Sequence, residues 1–348
     1  MKKIIAFLLI ALLLLPLAAC TAPAEPADTP SDFPCDLPPE ESDPFPAPAD
    51  FEAMDIPVGT LNGNTGVATA WLMYQAEQGL TADHYDFTIF TAPDQATAAL
   101  LSGEVQIAAL PTNVAASLYN RSEGMIRLAA IAAYGVLHIL ENGNEIHSIA
   151  DLAGHTIHTT GEGAGPEFIL NHVLTQNGLT PGVDVTIEFH ANEALAAGMA
   201  AGQFEISMMP EPMVTSVLAQ NEDVRRALDM TDEWGAVTNG PLVMSTVVVR
   251  TDFAETHPEA VARFLELLQQ SIETAQVDPD TVGYLAAKFD LIPNAAIAAR
   301  AIPGCNLIFI AGALMEPTVI GYLEVLYTAY PDSIGGAIPG ESFYFIGQ

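Results

Sequence analysis

Four short segments hold the side chains best suited to touch a small molecule. They are 62–66 (Asn-Gly-Asn-Thr-Gly), 110–113 (Leu-Pro-Thr-Asn), 160–166 (Thr-Gly-Glu-Gly-Ala-Gly-Pro) and 209–212 (Met-Pro-Glu-Pro). Each lies between an apolar, β-like run and a helical pattern. In open α/β sheets, ligands sit beyond the carboxyl ends of strands, where helix N-termini present free N–H groups. The candidate ligand contacts are therefore Asn62, Thr65, Pro111, Thr112, Asn113, Thr160, Gly161, Gly163, Ala164, Glu211 and Pro212. Asn239, in the turn 238–241, and Tyr134, which can stack on a ring, join them. The chemistry on offer is hydrogen bonding by amides and hydroxyls, with one carboxylate. The glycines of 161–165 let backbone approach a ligand, but the loop is neither a dinucleotide fingerprint nor a phosphate loop with its lysine. Glu211, held between two prolines, is expected to accept a hydrogen bond from a ligand amine.

Catalytic constellations do not stand out. Gly-x-Ser-x-Gly is absent, no Cys/His pair is evident, and the only lysine after residue 3 is Lys288, inside a helical pattern. Glu167 reads as a first-turn glutamate favoured by the helix dipole. His155 and His158 fall three apart in a strand-like stretch, on opposite faces, so they cannot share a metal. The expectation is no catalytic residue, no metal ligand and no cofactor. Trp234 reads as core or lobe-edge packing.

The whole chain limits its partners further. Its 348 residues carry 10 Lys+Arg against 43 Asp+Glu, a formal charge of −33. That balance rules out most nucleic-acid binding, which needs cations to neutralise phosphates. It also argues against docking on anionic lipid through a basic patch. With half its residues apolar, the bulk must fold.

The elements that must position the four segments alternate. Strands are expected at 56–61, 85–90, 105–110, 126–132, 156–160, 185–189 and 206–209. Helices are expected at 66–78, 92–102, 113–119, 166–176 and 193–201, then 258–275, 279–289 and 317–330. Strand–helix alternation implies parallel sheets and an α/β class. The β-rich runs 134–140 and 242–250 read as two crossovers between lobes. Lobe 1 is then 51–140 plus 241–348 and lobe 2 is 141–240, with a hinge and a cleft between them.

The N-terminus is different material. Lys2 and Lys3 precede a short apolar run that ends in Leu-Ala-Ala-Cys at residue 20, which reads as a signal peptide over 1–19. That ending resembles a bacterial lipobox, in which Cys20 carries a lipid after cleavage. Residues 21–50 hold nine prolines, eight Asp or Glu and no Lys or Arg. With the lipidated Cys20 they form a disordered acidic tether, 20–50. The expected location is the cell membrane, lipid-anchored on the extracytoplasmic face. Cys35 and Cys305 remain, as free thiols or as a pair.

Several strings together carry a family resemblance. They are 58–66 (Val-Gly-Thr-Leu-Asn-Gly-Asn-Thr-Gly), 102–116 (Ser-Gly-Glu-Val-Gln-Ile-Ala-Ala-Leu-Pro-Thr-Asn-Val-Ala-Ala) and 134–137 (Tyr-Gly-Val-Leu). With them stand 151–157 (Asp-Leu-Ala-Gly-His-Thr-Ile), 160–165, 209–212 and 301–306 (Ala-Ile-Pro-Gly-Cys-Asn). From about residue 55 onward the chain resembles substrate-binding lipoproteins of ABC importers. More narrowly, it is similar to the nitrate/sulfonate/taurine and thiamine-pyrimidine-precursor binding group. The resemblance implies a two-lobed type II periplasmic-binding-protein fold that closes on a small solute. It also implies a monomer that delivers its load to an ABC permease and its ATPase. The implied ligand is an aminopyrimidine-like or other heterocycle, or a sulfonate- or nitrate-type anion. Enzymes on the same fold, acting on a pyrimidine-like or small aromatic substrate, are the alternative.

Overall fold

A computed structural model describes residues 52–347, so the expected signal peptide, Cys20, the tether and Cys35 lie outside the described residues. Among the described residues eleven strands run in chain order: β1 Asp55–Leu61, β2 His84–Phe90, β3 Ile107–Pro111, β4 Ile126–Ala133, β5 Leu137–Asn142 and β6 Thr156–Thr159. They continue with β7 Thr186–Phe189, β8 Ile206–Pro210, β9 Val224–Asp229, β10 Ser245–Arg250 and β11 Leu307–Ala311. Their patterning explains their positions. β4 and β10 are buried almost end to end, as strands covered on both faces must be, whereas the edge strand β7 alternates exposed and half-buried residues.

Two sheets result. The first has the order β11-β4-β10-β3-β1-β2 and the second β7-β6-β8-β5-β9. The expected parallel pairing holds for β1 with β2 and β3, and for β6 with β7 and β8. It does not hold where the chain changes sheets. β10 is antiparallel to β3 and β4, β11 to β4, and β5 to β8 and β9, so both sheets are mixed. β10, which returns from the second sheet, and β5, which enters it, come in from the opposite end and so are reversed; β11 follows β10 within the first sheet and runs antiparallel to β4 as β10 does.

Residues 134–136 lead from β4 to β5, and 238–244 lead from helix Met230–Val237 back to β10. The two connectors lie side by side: Met244 N–H donates to the Ala133 carbonyl at 3.2 Å, and Ser245 pairs with Ala133. The division drawn after residue 140 falls inside β5, which belongs wholly to the second sheet. Gly135 fits tightly in its connector, because a Cβ there would stand 2.4 Å from Thr231 Oγ1 and 2.7 Å from Leu242 Cδ2, and those side chains would have to move.

Three apolar clusters hold the fold. One lines a face of the first sheet with helix Pro258–Val277, and another sits under helices Asn192–Ala200 and Met213–Gln220 on the second. The largest spans both sheets through Trp234, Tyr322, Phe168 and Leu110. Trp234 is fully buried, with its ring centroid 5.0 Å from His172 and 5.6 Å from Tyr322, so it is a core residue. Cys305 is likewise buried. Among the described residues no helix is long and apolar enough to cross a membrane.

Candidate functional site

Segment 62–66 ends β1, and its backbone is fixed from two sides. Asn62 N–H donates to the Phe90 carbonyl at 3.0 Å and Gly63 N–H to the Leu291 carbonyl at 2.7 Å. Asn62 is exposed and Thr65 half-buried. The expected helix 66–78 is two pieces, Asn64–Val67 and Ala70–Glu77. The first turn therefore begins inside the candidate segment and packs against β3. Asn64 Oδ1 is buried without a hydrogen-bond partner.

At the end of β3, Thr112 and Asn113 open helix Thr112–Arg121 and are both buried, with Pro111 half-buried before them. Thr112 N–H donates to the Met244 carbonyl at 3.3 Å, which ties this segment to the second connector. Among the described residues its hydroxyl has no hydrogen-bond partner, and neither does that of Ser245, which pairs with Pro111 across the sheet. A buried hydroxyl left without a hydrogen-bond partner costs about 1–3 kcal/mol, so both groups call for one. Sequence reasoning did not single out Ser245 or Asn64. Ser245 sits in a β-rich run with no loop signal; Asn64 stood inside a candidate segment beside the two residues chosen.

Segment 160–165 approaches from the other sheet. Gly161 and Gly163 have φ of +77° and +70°, a region that glycine adopts without strain. Ala164 N–H donates to the Gly161 carbonyl at 3.0 Å, and Gly163 N–H to Glu167 Oε2 at 2.6 Å. Glu167 thus caps its own loop, as the dipole reading expects. Thr160 is buried; Gly163 is exposed. The two lobes meet here, since a Cβ on Gly165 would lie 3.9 Å from Asn113 Oδ1 and 4.0 Å from the Tyr322 hydroxyl. The same lobes touch again where Phe168 stacks on Tyr330 at 4.3 Å and Asn171 Nδ2 donates to the Tyr330 hydroxyl at 3.1 Å.

Tyr134 begins the first connector. Its N–H donates to the Asn306 carbonyl at 3.0 Å, and Asn306 Nδ2 donates to the Gly135 carbonyl at 2.5 Å. The ring is half-buried, and desolvation raises its hydroxyl pKa, so it stays protonated.

Glu211 departs from expectation. It is buried, and its backbone N–H donates to the Val136 carbonyl at 3.0 Å, so the segment does lie against the connector. Its carboxylate, however, is engaged within the protein. Arg226 of β9 donates to Oε1, and the Thr215 N–H donates to Oε2 at 3.1 Å. The charge the sequence reading gave to a ligand amine is thus matched by Arg226, which the sequence places in an unremarkable polar run. Burial pushes the Glu211 carboxyl up, against the hydrogen bonds of Thr215 and the charge of Arg226, which lower it. Gly304 packs on this carboxylate, where a Cβ would come within 3.0 Å of Oε1. Pro212 is half-buried at the start of the next helix.

Asn239 lies at the second lobe contact, that of Asn171 with Tyr330. It is exposed and lines an open cavity of about 410 Å³ between helices Gly165–Gln176 and Met315–Ala329, with Asn171, His172, Thr238 and Tyr330. The structure therefore brings Thr112, Asn113 and the 160–165 loop to one lobe junction, with Tyr134 on the connector beside it and Glu211 packed against that connector. The histidines hold a further departure. His158 does not share ligands with His155, but it does meet Glu188 and His190, which the sequence reading did not connect.

Residues 74–282 match a family model described as NMT1/THI5 like. No curated protein matches the sequence. Among solved structures, an ABC transporter from Parabacteroides distasonis is similar at 21% identity and a TM-score of 0.71, covering 84% of this chain and 99% of that one. The periplasmic aliphatic sulphonate binding protein SsuA from Escherichia coli is similar at 17% identity and 0.69, over 84% and 92% of the two chains. The periplasmic nitrate-binding protein NrtA from Synechocystis PCC 6803 follows at 11% and 0.57, over 81% and 84%. What they share with this chain is the two-lobed periplasmic-binding-protein fold.

Proposed function

The chain belongs to the NMT1/THI5-like family, and on that premise we propose that it is an extracytoplasmic solute-binding protein serving an ABC importer. It captures a small molecule between its lobes and passes it to a permease powered by an ATPase. The observation that carries this reading is the lobe junction itself. The hydroxyls of Thr112 and Ser245 are buried without partners, and Asn113 faces the 160–165 loop of the opposite lobe. A solute bound there would satisfy those groups and bridge the lobes at once. The two adjacent connectors supply the hinge such closure needs. The leader and Cys20 support export and a lipid anchor, with the acidic tether between anchor and body.

The solute class follows from what the junction offers. Arg226 is already matched by Glu211, so recognition rests on amide and hydroxyl groups and on Tyr134, which suits an uncharged heterocycle such as a pyrimidine. A sulfonate or nitrate is the second reading, favoured by the proteins of like fold that bind sulphonate and nitrate. A thermal-shift screen of pyrimidines, other vitamins, sulfonates and nitrate tests both, because a ligand that binds only the folded state raises the melting temperature. Stabilisation by a heterocycle, recovered chemically unchanged by mass spectrometry, is expected. Turnover of that compound by the purified protein would replace the binding role with the enzyme alternative.

A further inference from the structure

At the outer edge of the second sheet, β6 and β7 run parallel with His158 directly opposite Glu188. The ladder continues one residue further, because His190 N–H donates to the Thr159 carbonyl at 2.8 Å. Alternation along a strand then puts Glu188 and His190 on the same face, beside His158. His158 Nδ1 lies 3.0 Å from His190 Nε2 and 3.4 Å from Glu188 Oε2, and the three donor atoms all fall within 4.8 Å of one another.

An apolar wall fixes the rings. Phe204 stacks on His158 at 4.0 Å with an interplanar angle of 20°, and lies 5.0 Å from His190. Gly198 makes that possible, since a Cβ there would come within 2.2 Å of the Phe204 ring. Glu188 faces solvent, which leaves an entry path.

We propose that His158, Glu188 and His190 form a binding site for one divalent transition-metal cation of the Zn²⁺ class, distinct from the solute junction. Two imidazoles and one carboxylate are a donor set that Zn²⁺ accepts with a further position left for water. Metal–donor bonds of about 2.0–2.2 Å in a tetrahedron put donors about 3.3–3.6 Å apart, close to the 3.0 and 3.4 Å that separate His158 Nδ1 from His190 Nε2 and Glu188 Oε2. Imidazole nitrogens disfavour Ca²⁺ and Mg²⁺, which take oxygen ligands. Without a metal, an N–H···N hydrogen bond between the two rings occupies the same atoms.

Calorimetric titration of ZnCl₂ into the chelator-treated full chain tests the site and needs no knowledge of the solute. One ion per chain is expected, with at least tenfold weaker binding in both His158→Ala and His190→Ala. Glu188→Gln, a change at an exposed position, is expected to weaken binding severalfold while leaving the fold intact. It therefore carries the test even where loss of a stacked ring disturbs folding. X-ray absorption at the zinc edge should show two imidazoles. Absence of binding by the unsubstituted protein, unchanged affinity in Glu188→Gln and His190→Ala, or displacement of Zn²⁺ by millimolar Ca²⁺ would each overturn the proposal.

Discussion

At Glu211 one carboxylate oxygen accepts from Arg226 and the other from the Thr215 N–H, while Arg226 itself remains partly open to water. Glu211→Gln should therefore cost about 1–3 kcal/mol of stability by weakening a charge-assisted pair, and leave solute affinity within twofold. Asn113→Ala should do the reverse. Melting should hardly move, and affinity should fall on the order of fivefold, the value of one neutral hydrogen bond. Urea denaturation and calorimetry on both variants separate the two roles. His138 supplies a pH test. It is buried in β5 with Nε2 unpartnered, and desolvation lowers its pKa from 6.5, although Asp229 at 3.8 Å pulls the other way. The unfolded chain then binds the proton more readily, so this residue costs stability as pH falls below about 6.5 and nothing above it. An NMR titration of the His138 ring should give a midpoint below 6.5; a midpoint at or above it would contradict this account.

Among the elements, the connectors are where packing is least forgiving. Gly135→Ala puts a methyl group into Thr231 and Leu242 and should cost about 1–3 kcal/mol, as overpacking does. Gly240→Ala, in the other connector, meets nothing closer than 3.8 Å and should be nearly neutral. Equal destabilisation by the two would contradict the packing argument. Much of this layer was readable from periodicity. Alternating and continuous apolar runs located β1, β2, β4, β6 and β8 and the long helix Pro258–Val277 within a few residues. β9 was not readable, because Val224 and Leu228 are spaced among Arg225, Arg226 and Asp229 and show no strong β pattern. The break at 68–69 was also hidden, since Val67, Trp71 and Tyr74 keep helical spacing across it. The site was legible as loops but not as contacts. Strand-end position selected Thr112 and Asn113, whereas the partners that disarm Glu211 and the meeting of His158 with His190, 32 residues on, depend on strand order.

At the scale of the molecule, the two sheets join through side-by-side connectors and meet again at Asn113 with Gly165 and at Phe168 with Tyr330. A formal charge of −33 over 348 residues sets repulsion against a compact arrangement, which the solute's binding energy would offset in the closure proposed above. The population shift this requires is bounded by the solute's preference for the closed state. The central claim is that a small molecule bound at the junction holds the lobes together. Small-angle X-ray scattering, with and without a saturating amount of the solute found by the screen, tests it most directly. The radius of gyration should fall on binding, and the fall should be reduced in Asn113→Ala at the same concentration. Superimposable profiles at full occupancy would contradict the account.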